Sequence, residues 1–248
     1  MLMPEPNDDQ LLILIDGHAV IHRSWHAIQQ PLNVGSTGEE VRAVYGFLNT
    51  FLKTISDWNP SHCAVAFDLP APTFRHQKFP DYKAHRPHSP PELRSQFGRV
   101  KQLMSAFQVP IFEYESYEGD DILGTLSSQA EQRRLDTIIV TGDTDTLQLV
   151  NPWVKVLLST SVRKRALYDE LAVSNRYGGL QPNQIPEIKA VWFADVSLDG
   201  DEGRLLLLEI PDEAAQKVDK TVRMGLWGRS SLVVRYSIQD KPSEASEE

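Results

Sequence analysis

Three short apolar runs in this sequence each end on an aspartate: "LLILID" at Asp16, "CAVAFD" at Asp68 and "TIIVTGD" at Asp143. Unbroken aliphatic runs of this length, without polar alternation, belong to strands buried on both faces, and such strands pair in parallel sheets covered by helices. The segments between them carry the covering helices. Residues 42–58, "RAVYGFLNTFLKTISDW", place Val44, Phe47, Leu48, Phe51, Leu52 and Ile55 at helical spacing. Residues 90–107 open on two prolines and read as a second helix, and residues 120–133, "DDILGTLSSQAEQR", as a third. Shorter strands are expected over 109–114 and 154–158. The alternation predicts an α/β fold: a mostly parallel sheet flanked by helices. From about residue 171 the pattern changes to short helices, at 171–179, 184–193 and 212–222, in a small helical C-terminal appendage. The end, "DKPSEASEE", has the composition of a disordered tail.

Groups just past the carboxyl ends of parallel strands line one crevice, where ligands bind. Asp16, Asp68 and Asp143 fall there, Asp145 follows two residues on, and Glu118, Asp120 and Asp121 fall at the start of the helix near 120. Two unit charges ~5 Å apart repel by roughly 3 kcal/mol at an effective dielectric of 20. A helix N-terminus returns only about 0.3–1 kcal/mol. A lone aspartate after a strand is most often a helix cap, but seven acids at one implied edge are more than capping requires. Divalent cations with oxygen ligands make such a cluster tolerable, and Mg²⁺ binds through a few carboxylates and substrate phosphates. Two such ions about 4 Å apart activate water and stabilise a leaving oxygen. A single cysteine, Cys63, and no histidine ligand pair disfavour zinc and exclude an internal disulfide framework.

The chain is acidic, with a net charge of −9, and bulk charge alone does not suggest a nucleic-acid binder. The charge is unevenly placed. Residues 73–101 hold Arg75, Lys78, Lys83, Arg86, Arg94, Arg99 and Lys101 against only Asp81 and Glu92, and interleave Phe74, Phe79 and Tyr82 among the cations. Such a segment is either a solvated charged loop or a surface that neutralises phosphates and stacks on bases. No apolar run reaches the roughly 20 residues that span a bilayer, and the acidic start "MLMPEPNDDQ" lacks a secretory n-region. A cytoplasmic protein is expected.

The stretches "LIDGHAVIHRSWHAI", "STGEEVRAVYGF", "AVAFDLPAPTFRHQKFPDYKAHRP", "YEGDDILGTL" and "VTGDTDTLQLV" together resemble the 5'-nuclease family, which includes the 5'→3' exonuclease domain of bacterial DNA polymerase I and the flap endonucleases. The likeness runs from Leu12 to Val150, and more loosely to Ala190. It implies a PIN-like fold. It also implies that Asp16, Asp68, Glu118, Asp120, Asp121, Asp143 and Asp145 stand at acidic metal-site positions. Arg75, Lys83 and Arg86 fall on catalytic basic positions of a helical arch that grips the scissile phosphate. Tyr82 matches the arch aromatic, and Arg23 and Lys78 join these as DNA-binding residues. Gly119 stands where the family usually has alanine, a change expected to matter little, and Thr144 where lysine is common. Beyond Val191 the chain departs from the family. Asp195 and Asp199 are the candidates for a second-site metal, and the glycine-rich hairpin that approaches duplex phosphates is absent.

The resemblance thus implies a catalytic domain over residues 11–170 with its arch at about 69–95, a divergent helical DNA-binding subdomain over 171–235 and an acidic tail over 236–248. It implies two Mg²⁺ ions, with Mn²⁺ as a substitute, and hydrolysis of DNA bearing a 5' flap or 5' end by a two-metal-ion mechanism. A monomer is expected, with no membrane partner and no polymerase domain in this chain. Two other readings remain open at this point: a catalytically impaired protein that binds flap or branched DNA, and a PIN-type ribonuclease.

Overall fold

The computed structural model describes residues 10–159 and 164–187. Strand β1 (Leu11–Asp16) leads into helix α1 (Gly17–Ala27), then α2 (Arg42–Trp58), β2 (His62–Ala66), a short α3 (Phe74–Lys78), α4 (Pro91–Ala106), β3 (Ile111–Phe112), α5 (Gly119–Gln132) and β4 (Asp136–Thr141). A 3₁₀ turn (Thr144–Leu149), β5 (Val154–Ser159), β6 (Arg165–Tyr168) and α6 (Glu170–Arg176) follow. The six strands form one sheet in the order β3-β2-β1-β4-β5-β6. All pairs are parallel except β5–β6.

Strand β1 lies at the centre, with Ile15 level with Val65 of β2 and Val140 of β4. Ile13, Leu14 and Ile15 are all fully buried, as an apolar run covered on both faces requires. Ile13 and Ile15 join Val65, Phe67, Ile138 and Val140 in one core with Val20, Ile21, Phe47, Phe51, Val100 and Met104 from α1, α2 and α4. The alternate strand residues Leu14 and Ile139 are buried outside that cluster, as the two-residue period of a strand requires. Helix α5 contributes buried Ile122 and Leu123 and packs on β1, β2 and β4. Helix α1 starts where Gly17 meets the ring of Phe67; a Cβ there would stand 2.3 Å from it, so only glycine permits the close approach.

Several expected elements change length. The strand expected over 109–114 is reduced to Ile111–Phe112, and the arch segment contains one five-residue helix, α3, followed by turns through residues 80–86. Strand β6 was not expected: it is a short, half-exposed antiparallel edge that carries Arg165 and lacks the apolar run that marks the inner strands. Helix α2 has no side-chain cap of its own. The buried Gln96 of α4 caps it instead, its Oε1 accepting from the N–H groups of Ala43 (2.8 Å) and Val44 (3.2 Å).

The chain divides into two compact units after Ala172. The second is described over 173–187 only, the last turns of α6 and a 3₁₀ turn at Pro182–Gln184. The helix expected over 184–193 lies mostly outside the described residues. Those expected over 212–222, the acidic tail, Asp195 and Asp199 lie wholly outside them. Among the described residues no helix is long and apolar enough to cross a membrane.

Candidate active site

The chain runs β1, β2, β3 in one direction and then returns to place β4 on the other side of β1, so the sheet reverses between β1 and β4. Crevices at such reversals open at the carboxyl ends of the strands. Asp16 is the last residue of β1, Asp143 lies two residues past β4, and Asp68 two residues past β2.

Asp16 is buried. Its Oδ1 accepts from the Ala19 N–H at 2.9 Å, capping α1, and its Oδ2 accepts from the Thr141 hydroxyl at 2.7 Å. The same hydroxyl oxygen accepts from the Asp143 N–H at 2.9 Å, so Thr141 ties the ends of β1 and β4 together. Asp143 caps the 3₁₀ turn by accepting from the Asp145 N–H. Asp68 accepts through Oδ1 from the Gly119 N–H, and its own N–H donates to His18 Nδ1 at 3.1 Å. An Nδ1 that accepts is unprotonated, so His18 is neutral here. Burial lowers its pKa, against the pull of Asp68.

Burial pushes the Asp16 carboxyl up to about 6, with Asp68 and Asp143 adding to the rise and the bonds from Ala19 and Thr141 opposing it. Asp120 is raised to about 7, by crowding of protein around it and then by Asp16, Asp143 and Asp68. Its side chain is exposed to solvent, so the repulsion from the three neighbouring carboxylates is the firmer of these causes.

Glu118 and Asp121 meet a different environment. Glu118, buried at the N-cap of α5, accepts from Lys83 Nζ (2.9 Å) and the Tyr82 hydroxyl (3.2 Å) and lies 3.6 Å from Arg75 Nη1. Asp121 takes a two-pronged pair from Arg75, at 2.7 and 2.8 Å, and accepts from the Glu118 N–H. Arg75 holds the Asp121 carboxyl below the usual range. Burial is the largest single influence on the Lys83 ammonium and lowers its pKa, but the bond to Glu118 and the charges of Glu118 and Tyr82 together outweigh it and the net shift is upward. Lys83 itself sits in the left-handed backbone region at φ +57°, a conformation that a non-glycine residue holds only when its contacts compensate. The arch is therefore folded onto two of the seven carboxylates.

The other predicted residues spread around this centre. Arg86 is exposed on the arch, and Lys78 is exposed at the end of α3. Arg23 projects from α1 over Gly142 and lines an open cavity of about 630 Å³ with His22, His26, Asp143 and Thr144. Its Nε is buried without a hydrogen-bond partner among the described residues, and burial lowers its pKa. Sequence reasoning passed over Thr141 and His18, although each stands within two residues of a strand-end aspartate, where a side chain that orients a carboxylate is placed. It also understated Gly119: a Cβ there would stand 2.9 Å from Asp68 Oδ1.

As they stand, no three carboxylate, imidazole or thiol groups among the described residues converge as ready ligands. The donors at the crevice are nonetheless carboxylate oxygens, which suit hard cations. The two carboxyls are raised by burial and by their charged neighbours, and a bound cation would favour the ionised form of both.

Residues 11–178 match the family described as 5'-3' exonuclease, N-terminal resolvase-like domain. The chain belongs to this family. It is 42% identical over 184 residues to DNA polymerase I of Chloroflexus aurantiacus, covering 73% of this chain and 19% of the relative, and 36% identical over 181 residues to that of Bacillus subtilis, covering 73% and 20%. The chain thus spans about a fifth of the length of the curated relatives it matches. In fold it is similar to the bacteriophage T5 D15 protein co-crystallised with metal ions, with a TM-score of 0.59 at 17% identity over 87% of this chain and 76% of that one. T5 5'-exonuclease with bound zinc gives the same TM-score. The six-stranded, mostly parallel sheet flanked by helices is thus the PIN-like fold of this family.

Proposed function

We propose that this chain is a Mg²⁺-dependent 5'-nuclease, acting as a cytoplasmic monomer on DNA with a 5' flap or 5' end in replication and repair. Residues 11–170 would form the catalytic domain and 171–235 a duplex-binding subdomain. The observation that carries the reading is the crowd of carboxylates at the β1/β4 reversal, two of them raised in pKa, beneath an arch of cations. Family membership supports the same reaction class.

Asp16, Asp68, Asp120, Asp143 and Asp145, joined by Glu118 and Asp121, would hold two Mg²⁺ or Mn²⁺ ions. When bound, these ions supply an activated water and neutralise charge on the leaving oxygen. The protein's own part is an exchange of partners. Arg75 and Lys83 must release Asp121 and Glu118 before they can take a phosphate, and the released carboxylates then become available as oxygen donors. Substrate and cation binding therefore favour each other. Once on the phosphate, the two cations offset charge that develops in the transition state. Arg86 and Tyr82 extend this grip along the strand, and Lys78 adds a further charge. Arg23, open to the cavity beside Asp143, receives a phosphate on the other side of the crevice. Thr141 and His18 orient Asp16, Asp143 and Asp68.

The test is cleavage of an end-labelled 5'-flap DNA in EDTA, Mg²⁺ and Mn²⁺, beside an Asp143→Asn variant and a matched RNA flap. Cleavage of the DNA that needs the cation and disappears in the variant is expected. Turnover by Asp143→Asn equal to the wild type overturns the assignment. Flap binding without cleavage moves it to a catalytically impaired DNA binder, and preference for the RNA flap to a ribonuclease.

A further inference from the structure

Beside the arch, and outside the carboxylate crevice, three aromatic rings stand in a row. Phe74 opens α3, and its ring centroid lies 5.6 Å from that of Tyr117, which in turn lies 5.8 Å from that of Tyr114. Tyr114 is 66% exposed and Tyr117 45% exposed. Single exposed aromatics call for no explanation, but a contiguous run of them marks an interaction surface.

The backbone holds this row in place. Residues 114–117 form a tight turn in which the Tyr117 N–H donates to the Tyr114 carbonyl at 3.3 Å. Ser116 within it takes a left-handed conformation, φ +69°, that a residue with a Cβ adopts only under constraint. The Ser116 carbonyl accepts from the Phe74 N–H at 3.0 Å, which fastens the turn to the arch.

The charge around the row selects its partner. The Arg75 guanidinium carbon lies 4.6 Å from the centre of the Phe74 ring, and Lys78 Nζ 5.7 Å from it. Of the five acids along residues 113–121, Glu113 is paired with Lys101, Glu118 with Lys83 and Asp121 with Arg75, while the exposed Glu115 and Asp120 stand outside these pairs. The compensation is therefore partial, and Lys78 is the cation that gives the row its own positive charge. Two exposed tyrosine rings in series with the half-buried Phe74, itself flanked by cations, offer faces to successive unpaired bases, whose stacking is tolerant of sequence.

We infer that Phe74, Tyr117 and Tyr114 form a stacking track for the single-stranded 5' arm of a DNA substrate, leading from the arch towards the β3 edge of the sheet. Tyr117 directly precedes Glu118, so the track begins where the carboxylate crevice ends. The inference rests on the nuclease reading for the identity of the strand.

The test measures binding by fluorescence anisotropy, in Ca²⁺, of flap DNAs whose 5' arm is either minimal or about ten nucleotides long, a span within the site sizes of single-strand binders. The readout is the ratio of the two affinities. Tyr114→Ala should lower that ratio roughly tenfold, and Tyr114→Phe, which keeps the ring, should restore it. Tyr114 is exposed, so neither change threatens the fold. A ratio in Tyr114→Ala and Tyr117→Ala equal to the wild type overturns the track. The two readings fail separately. A wild-type protein that binds the long arm through these tyrosines yet never cleaves leaves the track standing and removes the nuclease. Metal-dependent cleavage with an unaltered affinity ratio does the reverse.

Discussion

Asp16 and Asp121 bring carboxyl groups to the same end of the sheet, yet their surroundings push them in opposite directions. Asp16 is buried beside Asp68 and Asp143, and its pKa rises to about 6. Asp121 lies a few residues along α5 from Gly119, the amide that serves Asp68, but the guanidinium of Arg75 holds its pKa down. The inner group of acids, with Asp120, has strand ends and hydroxyls for company. The outer pair, Glu118 and Asp121, has the arch. A cation-binding centre that is stable before its cation arrives needs both treatments: enough unmet charge to attract the ion, and enough borrowed charge to hold the loop that will cover it. The inner acids supply the first and the arch contacts the second.

The sharpest way to break this contrast is to neutralise one inner carboxylate. Asp120→Asn should reduce flap cleavage by about a thousandfold, the scale of losing one preorganised electrostatic group. In EDTA at pH 8 the same variant should melt above the wild type, because the repulsion from Asp16, Asp143 and Asp68 has gone. The two should converge near pH 5, where Asp120 of the wild type already carries its proton. A variant that melts below the wild type at pH 8 would show that the inner acids are not in conflict.

The pH dependence of the metal-free protein tests the same point without mutation. Between pH about 4 and about 6 the folded state keeps a proton on Asp16 that the unfolded chain has lost. Stability therefore falls as pH rises through this window, by on the order of 2–3 kcal/mol from Asp16, and the penalty is complete above it. Asp121 contributes with the opposite sign: its stabilisation is present at neutral pH and is lost on acidification through its depressed pKa. Adding Mg²⁺ should then raise the melting temperature more at pH 8 than at pH 5, where protons compete for the same oxygens. Equal rises at both pH values, measured by differential scanning calorimetry, would place the ion elsewhere.

On the outer side the effect of losing charge reverses. Arg75→Ala leaves Asp121 and Glu118 without their guanidinium partner and should destabilise the metal-free protein by about 2 kcal/mol, the range of charge-assisted hydrogen bonds. Arg75→Lys keeps the charge but not the two-pronged geometry, and should lose about half as much. Urea unfolding of the three proteins gives the ranking; an Arg75→Ala variant as stable as the wild type would mean that the arch is not latched.

How much of this was legible in the sequence follows from what kind of physics each feature rests on. The central strands and helices α2, α4 and α5 were legible because burial imposes a period on the chain, and the strand-end aspartates were legible because a parallel sheet puts such positions at one edge. Strand β6 was not, since an exposed edge strand needs no apolar run. The Gln96 cap on α2 was not, because it joins residues 53 positions apart. The pairing of Arg75 with Asp121 spans 46 positions; the sequence marked both residues as functional, one for phosphate and one for metal, without marking them as partners. Local pattern locates the groups, and the contacts among them belong to tertiary structure.

Gly119 is the smallest instance of that gap. By sequence it is one small residue in place of another at the start of a helix, where alanine would be the better helix former. In the fold its N–H serves the carboxylate of Asp68, and an added Cβ would come within 2.9 Å of the same oxygen. The atom in the way is the end of a side chain, so it can move by a few tenths of an ångström, and the helix need not. Gly119→Ala should therefore leave the melting temperature nearly unchanged or slightly raised, while turning Asp68 away from its present position. The expected result is a few-fold weaker apparent affinity for Mg²⁺ in flap cleavage with little change in rate at saturating metal. An unchanged Mg²⁺ dependence would mean that Asp68 tolerates the shift, and that its exact placement matters less than the charge it brings to the inner group.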